Sequence, residues 1–129
     1  MSAAAGFHHV AMRVADFDAS VRFYTEALGM TAAYCWGEGD KRAVLLDAGN
    51  GNYIEVFAGG KPAEGDAPLL HLALRSDDVD GGIERARAAG ATVTVEPKDV
   101  DIPSDPVLPV RIAFCKGPAG ETIEFFHER

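Results

Sequence analysis

Two histidines and two glutamates occupy the positions in this chain that most call for chemistry. His9 and His71 each stand at the head of an apolar run, HVAMRVAD (9–16) and HLALRSDD (71–78). Glu55 and Glu124 each sit between apolar neighbours, in NYIEVF (52–57) and ETIEFF (121–126). Withdrawing an unpaired carboxylate from water costs several kcal/mol, and two close together also repel. Two imidazoles and two carboxylates converging on one divalent cation would relieve both costs. Neutral imidazole with ionised carboxylate suits zinc, nickel, cobalt, manganese or ferrous iron, and the absence of thiolate argues against a closed structural zinc site. Taken singly, a histidine on an apolar face is more often a satisfied core residue, and a lone strand glutamate more often faces solvent. The recurrence of the pair at matching places favours a metal.

The elements that must position these residues also come twice. His9, Ala11, Arg13 and Asp16 align with His71, Ala73, Arg75 and Asp78. In a strand alternate side chains share a face, so His9, Ala11 and Arg13 point one way while Val10, Met12 and Val14 point the other. Each segment ends in an Asp whose carboxylate can accept from the first turn of a helix. Phe17, Val21, Tyr24 and Leu28 then form one apolar stripe ending at Gly29, and Val79, Ile83 and Ala86 form another ending at Gly90. Three strands are predicted after each helix: 31–37, 42–48 and 52–58, then 91–96, 109–115 and 121–127, with a loop over 97–109 containing Pro97, Pro103, Pro106 and Pro109. The chain therefore reads as one α+β domain, 1–129, of two tandem βαβββ modules, 7–58 and 69–127, joined by a Gly/Pro-rich linker at 59–68. Its mixed sheets are expected to curve, each with a helix outside, and to enclose the metal.

Composition narrows the function classes. The 129 residues are 47% hydrophobic and 25% charged, as in ordinary soluble domains, and the net charge of −8 carries no basic cluster for nucleic acid. No apolar run approaches the roughly 18 residues of a membrane span, and no secretion signal is evident, so the cytoplasm is the expectation. Cys35 and Cys115 read as reduced packing residues. His8 competes with His9 in register and is expected on the helix side, while His127 falls opposite Glu124.

These motifs, together with SVRFYTEALGM (20–30) and GPAGETIEF (117–125), resemble the vicinal oxygen chelate superfamily over essentially the whole chain. That group includes glyoxalase I, extradiol dioxygenases, epimerases and the fosfomycin and bleomycin resistance proteins. The resemblance to glyoxalase I implies four metal ligands, His9, Glu55, His71 and Glu124, and isomerisation of a hemithioacetal through a metal-bound enediolate. It also implies a carboxylate base, Glu124 or Glu55, with Glu124 preferred. Arg13 matches the arginine that holds a glutathione carboxylate; its alternative is a surface salt bridge. Where glutathione enzymes of the family carry Asn, this chain has Gly59, which speaks against glutathione as the thiol. The resemblance further implies a homodimer with sites at the subunit interface and a small-molecule substrate. Other readings on the same fold are drug sequestration of the bleomycin type, an epimerase and an extradiol dioxygenase.

Overall fold

The computed structural model describes residues 7–62 and 71–129, and the chain divides into two compact units, residues 1–62 and 63–129. The predicted linker therefore lies outside the described residues from residue 63 onward, as do Leu69 and Leu70.

In the first unit β1 (His9–Arg13) leads to helix α1 (Phe17–Arg22), followed by β2 (Thr31–Trp36), β3 (Ala43–Gly49) and β4 (Asn52–Phe57). These strands form an open sheet in the order β1-β4-β3-β2, with β1 parallel to β4 and the other pairs antiparallel. The second unit repeats the plan with β5 (Leu72–Arg75), α2 (Val79–Ala88), β6 (Thr92–Ile102), β7 (Leu108–Lys116) and β8 (Thr122–Glu128), in the order β5-β8-β7-β6. Both are mixed four-stranded sheets from a βαβββ module, as the repeat predicts. No helix among the described residues is long and apolar enough to cross a membrane.

Both helix starts follow the sequence. Asp16 accepts from the Ala19 amide at 3.0 Å and Asp78 from the Gly81 amide at 2.9 Å, so each carboxylate satisfies a first-turn donor. In the second unit Val79, Ile83 and Ala86 are buried as the stripe requires, packed over a sheet face of Ala113, Cys115, Ile123 and Phe125. Gly82 is part of that contact, since a Cβ there would lie 3.0 Å from the Phe125 ring.

The first helix keeps only Tyr24 of its predicted stripe fully buried. After Arg22 it continues as a π-helical segment, Phe23–Ala27, and the buried residues are Ser20, Phe23 and Tyr24, with Phe17, Val21 and Leu28 only half-buried. Ser20, Phe23 and Tyr24 share a face at the ordinary i, i+3, i+4 helical spacing, so the buried face keeps Tyr24 but is offset from the drawn stripe toward Ser20 and Phe23. Phe17 instead lies beneath the Arg42 guanidinium, 4.7 Å from its ring centroid.

The predicted proline loop over 97–109 is mostly strand: β6 runs through Pro97 to Ile102, and β7 begins at Leu108. Pro97 is accommodated because β6 is a sheet edge and its pairing shifts register between Val95 and Lys98. Cys115 is buried as expected, but Cys35 is exposed, because all of β2 is an uncovered edge strand.

Candidate functional site

Each unit brings one predicted imidazole to one predicted carboxylate. In the first, parallel pairing sets His9 opposite Tyr53 and Ala11 opposite Glu55, so both side chains share a face and His9 Nε2 lies 3.4 Å from Glu55 Oε1. In the second, Ala73 pairs with Glu124, and His71, just before β5, puts its Nε2 3.2 Å from Glu124 Oε1. The helix-packed face carries Val44, Leu46, Ile54 and Val56 in one sheet and Ile123 and Phe125 in the other. Strand alternation thus places the ligand-type residues opposite the core in both units. Among the described residues no group of three or more His, Cys, Asp or Glu side chains is gathered to hold a metal ion; each pair supplies two donors.

The donors fit a divalent metal. Ligand bonds of about 2.1 Å place neighbouring N and O donors roughly 3.0 Å apart at right angles and about 3.4 Å apart at tetrahedral angles. The observed 3.4 and 3.2 Å separations fall in that range. Glu124 is 7% exposed, and burial pushes its carboxyl above the usual carboxylate range, with the His71 charge opposing the shift. Such a carboxylate gains from a nearby cation.

The two pairs differ in support. The His8 and His9 Nδ1 atoms lie 2.9 Å apart, one donating and the other accepting, which turns His9 Nε2 toward Glu55. His8 stacks on Tyr53 at 5.0 Å between ring centroids. It therefore sits beside His9 rather than on the helix side, because it precedes β1 and escapes the strand's alternation. His71 has no such second imidazole among the described residues and meets the Phe114 ring edge-on at 5.5 Å. His127 turns away from Glu124 as predicted, with Nδ1 3.0 Å from the Ser76 carbonyl.

Among the described residues Arg13 makes no salt bridge. Its Nη1 donates to the Ala58 carbonyl at 2.9 Å and its guanidinium lies 5.1 Å over the Phe57 ring, on the Glu55 face. Gly59 follows at φ +78°, and a Cβ there would stand 2.8 Å from the Asp40 carbonyl oxygen. Any side chain there, asparagine included, would crowd that carbonyl.

Single-strand reading missed an aromatic border on the same face. Tyr34 pairs across the sheet with Leu45 and Trp36 with Ala43, while Leu45 and Ala43 pair with Glu55 and Phe57. Trp36 meets Phe57 edge to face at 6.4 Å. Aligning TAAYCW against the next two strands would have placed Tyr34 and Trp36 there.

With this fold and these paired donors, the class of protein is defined. The chain belongs to the Glyoxalase/Bleomycin resistance protein/Dioxygenase superfamily, which it matches over residues 6–125. A protein of Vibrio parahaemolyticus described as a probable lactoylglutathione lyase is 30% identical over 94% of this chain and 89% of its own length. An antibiotic-binding protein from a Streptomyces species has the same fold, with a TM-score of 0.76 at 22% identity over the whole of both chains. A point mutant of glyoxalase I from Zea mays gives a TM-score of 0.72 at 25% identity, covering 92% of this chain but only 43% of the maize chain.

Proposed function

We propose that this protein is a metal-dependent isomerase of glyoxalase I type, acting on a hemithioacetal or a close chemical relative. The observation that carries the reading is the duplicated imidazole–carboxylate pair, His9 with Glu55 and His71 with Glu124, on equivalent strands of two repeated units. In this reading the four side chains are the ligands of one divalent ion, zinc, nickel, cobalt, manganese or ferrous iron, and the working form is a homodimer. When bound, the ion supplies Lewis acidity toward two adjacent substrate oxygens.

The chain's own residues divide the remaining work. Glu124 is the more buried carboxylate and keeps Oε1 near His71, leaving Oε2 to take the proton from the carbinol carbon. Returned to the neighbouring carbonyl carbon, that proton converts a hemithioacetal into a 2-hydroxy thioester with no net gain or loss of atoms. Glu55 completes the charge balance and is the second candidate base. Arg13, fixed by the Ala58 carbonyl and the Phe57 ring, binds an anionic part of the substrate. The relatives named as lactoylglutathione lyases support this reaction class, and Gly59 favours a thiol other than glutathione.

A second reading, sequestration of a drug without turnover, draws on the exposed Tyr34 and Trp36. The deciding experiment is purification without chelator, metal analysis, and turnover of methylglyoxal with glutathione and then with other thiols. An isomerase carries close to one ion per site and turns over with at least one thiol. A full metal complement with no turnover by any thiol overturns the isomerase reading.

A further inference from the structure

The sheet face that carries His9 and Glu55 can be written as three rows crossing four strands. The first row is His9, Tyr53, Asp47 and Thr31; the second is Ala11, Glu55, Leu45 and Tyr34; the third is Arg13, Phe57, Ala43 and Trp36. Directly paired residues share a face. The first row carries polar groups as far as Asp47 and Thr31, whereas the second and third rows run from Glu55 and Arg13 near β1 to Tyr34 and Trp36 on the edge strand β2. Tyr34 is 61% exposed and Trp36 44% exposed, although β2, TAAYCW, contains no charged residue. Large aromatics held at a sheet edge beside convergent polar groups have the make-up of a ligand site.

We propose that Tyr34, Leu45 and Trp36 form a subsite for a flat aromatic group, so that the preferred ligand of this protein is an aryl compound with two adjacent oxygens. Leu45 is the floor, because it lies between Glu55 and Tyr34 in the middle row. Two strand spacings separate Glu55 from Tyr34, about 10 Å. That span suits one or two fused rings whose oxygens reach toward His9 and Glu55. At the third row Trp36 and Phe57 close over Ala43, which is 2% exposed, and Arg13 lies on the far side of Phe57. An aromatic ring is therefore received beside Tyr34 and against Trp36, with Arg13 placed for an anionic substituent. The inference rests on the metal-centre reading for the destination of the oxygens and on the β2 aromatics alone for the ring.

Two probes separate those parts. Acetohydroxamate and 2-naphthohydroxamate share a two-oxygen metal-binding head and differ in the ring. On the metal-loaded protein, titration calorimetry is expected to show 2-naphthohydroxamate binding at least about tenfold more tightly, the scale of one good aromatic contact. Trp36 is the single tryptophan, so its fluorescence reports the same event, with quenching expected on ring binding. Tyr34→Ser is expected to abolish most of the naphthyl advantage while acetohydroxamate binds both proteins alike. Equal affinity for the two probes, or an advantage that survives Tyr34→Ser, overturns the proposal. If neither hydroxamate binds, the metal reading fails, and 2-naphthol alone decides the subsite. Quenching of Trp36 that disappears in Tyr34→Ser keeps it; no quenching overturns it. A change of oligomeric state in Tyr34→Ser with unchanged naphthyl binding also overturns it, by giving the edge strand to a second copy of the chain.

Discussion

Replacing Glu124 with glutamine sets two consequences of its burial against each other. In the metal-free protein the folded state raises the carboxyl's pKa, chiefly through burial. A raised folded-state pKa means that the ionised carboxylate opposes folding: stability is greatest below the unfolded-state pKa and declines as pH rises through the folded value. Glutamine carries no charge to desolvate, so metal-free Glu124→Gln should be at least as stable as wild type at pH 7. Metal reverses the order. An ion bound only by the folded state and present at 100 times its dissociation constant stabilises by about 2.7 kcal/mol. For a chain of this size roughly 4 °C of melting temperature corresponds to each kcal/mol, giving a shift of about 11 °C. If loss of this ligand weakens binding about a hundredfold, the same metal concentration gives about 0.4 kcal/mol, or roughly 2 °C. Thermal melts of both proteins with and without nickel or zinc measure all four values. A metal-free variant clearly less stable than wild type, with an undiminished metal shift, refutes the assignment of Glu124 as a ligand.

Other variants probe the supporting residues. Arg13→Ala should raise KM about tenfold with kcat changed little, as loss of a charge-assisted contact to substrate does; an unchanged KM removes Arg13 from the binding site. His8→Phe keeps a ring against Tyr53 but removes the nitrogen facing His9, and should leave the His9 imidazole as a mixture of tautomers, whereas His8→Asn, which retains a polar atom there, should preserve one. Long-range 1H–15N NMR of the imidazoles reads this directly, and a single unchanged tautomer in His8→Phe contradicts it. Gly59→Asn should lower stability by about 1–3 kcal/mol, from the left-handed backbone and the Asp40 carbonyl beneath it, without improving turnover with glutathione; calorimetry and thiol-dependent rates check the two halves.

The parts legible in the sequence are those governed by local rules repeated twice. Asp16 and Asp78 announced helix starts, the eight predicted strands found their places, and two-residue alternation put His9 with Glu55 and His71 with Glu124. The misjudged parts depend on interactions along or across elements that such patterns do not encode. Of the stripe drawn through Phe17, Val21, Tyr24 and Leu28, Tyr24 is fully buried and the other three only half-buried, while Ser20 and Phe23 take the core side beside it. Pro97 looked like a strand breaker, yet at a sheet edge with a register shift it removes no ladder hydrogen bond that the fold needs. His8 seemed to belong to the strand, but β1 begins at His9 and alternation does not reach it. Tyr34 and Trp36 acquired meaning only when β2 was laid against β3 and β4.

The direct measurement is the number of metal ions bound per chain after incubation with nickel or zinc and removal of excess, in wild type and in His9→Gln and His71→Gln. One ion per chain in wild type, lost from either variant, is the predicted result. Two ions per chain, one for each imidazole–carboxylate pair, or none at all, would contradict a single centre built from both modules.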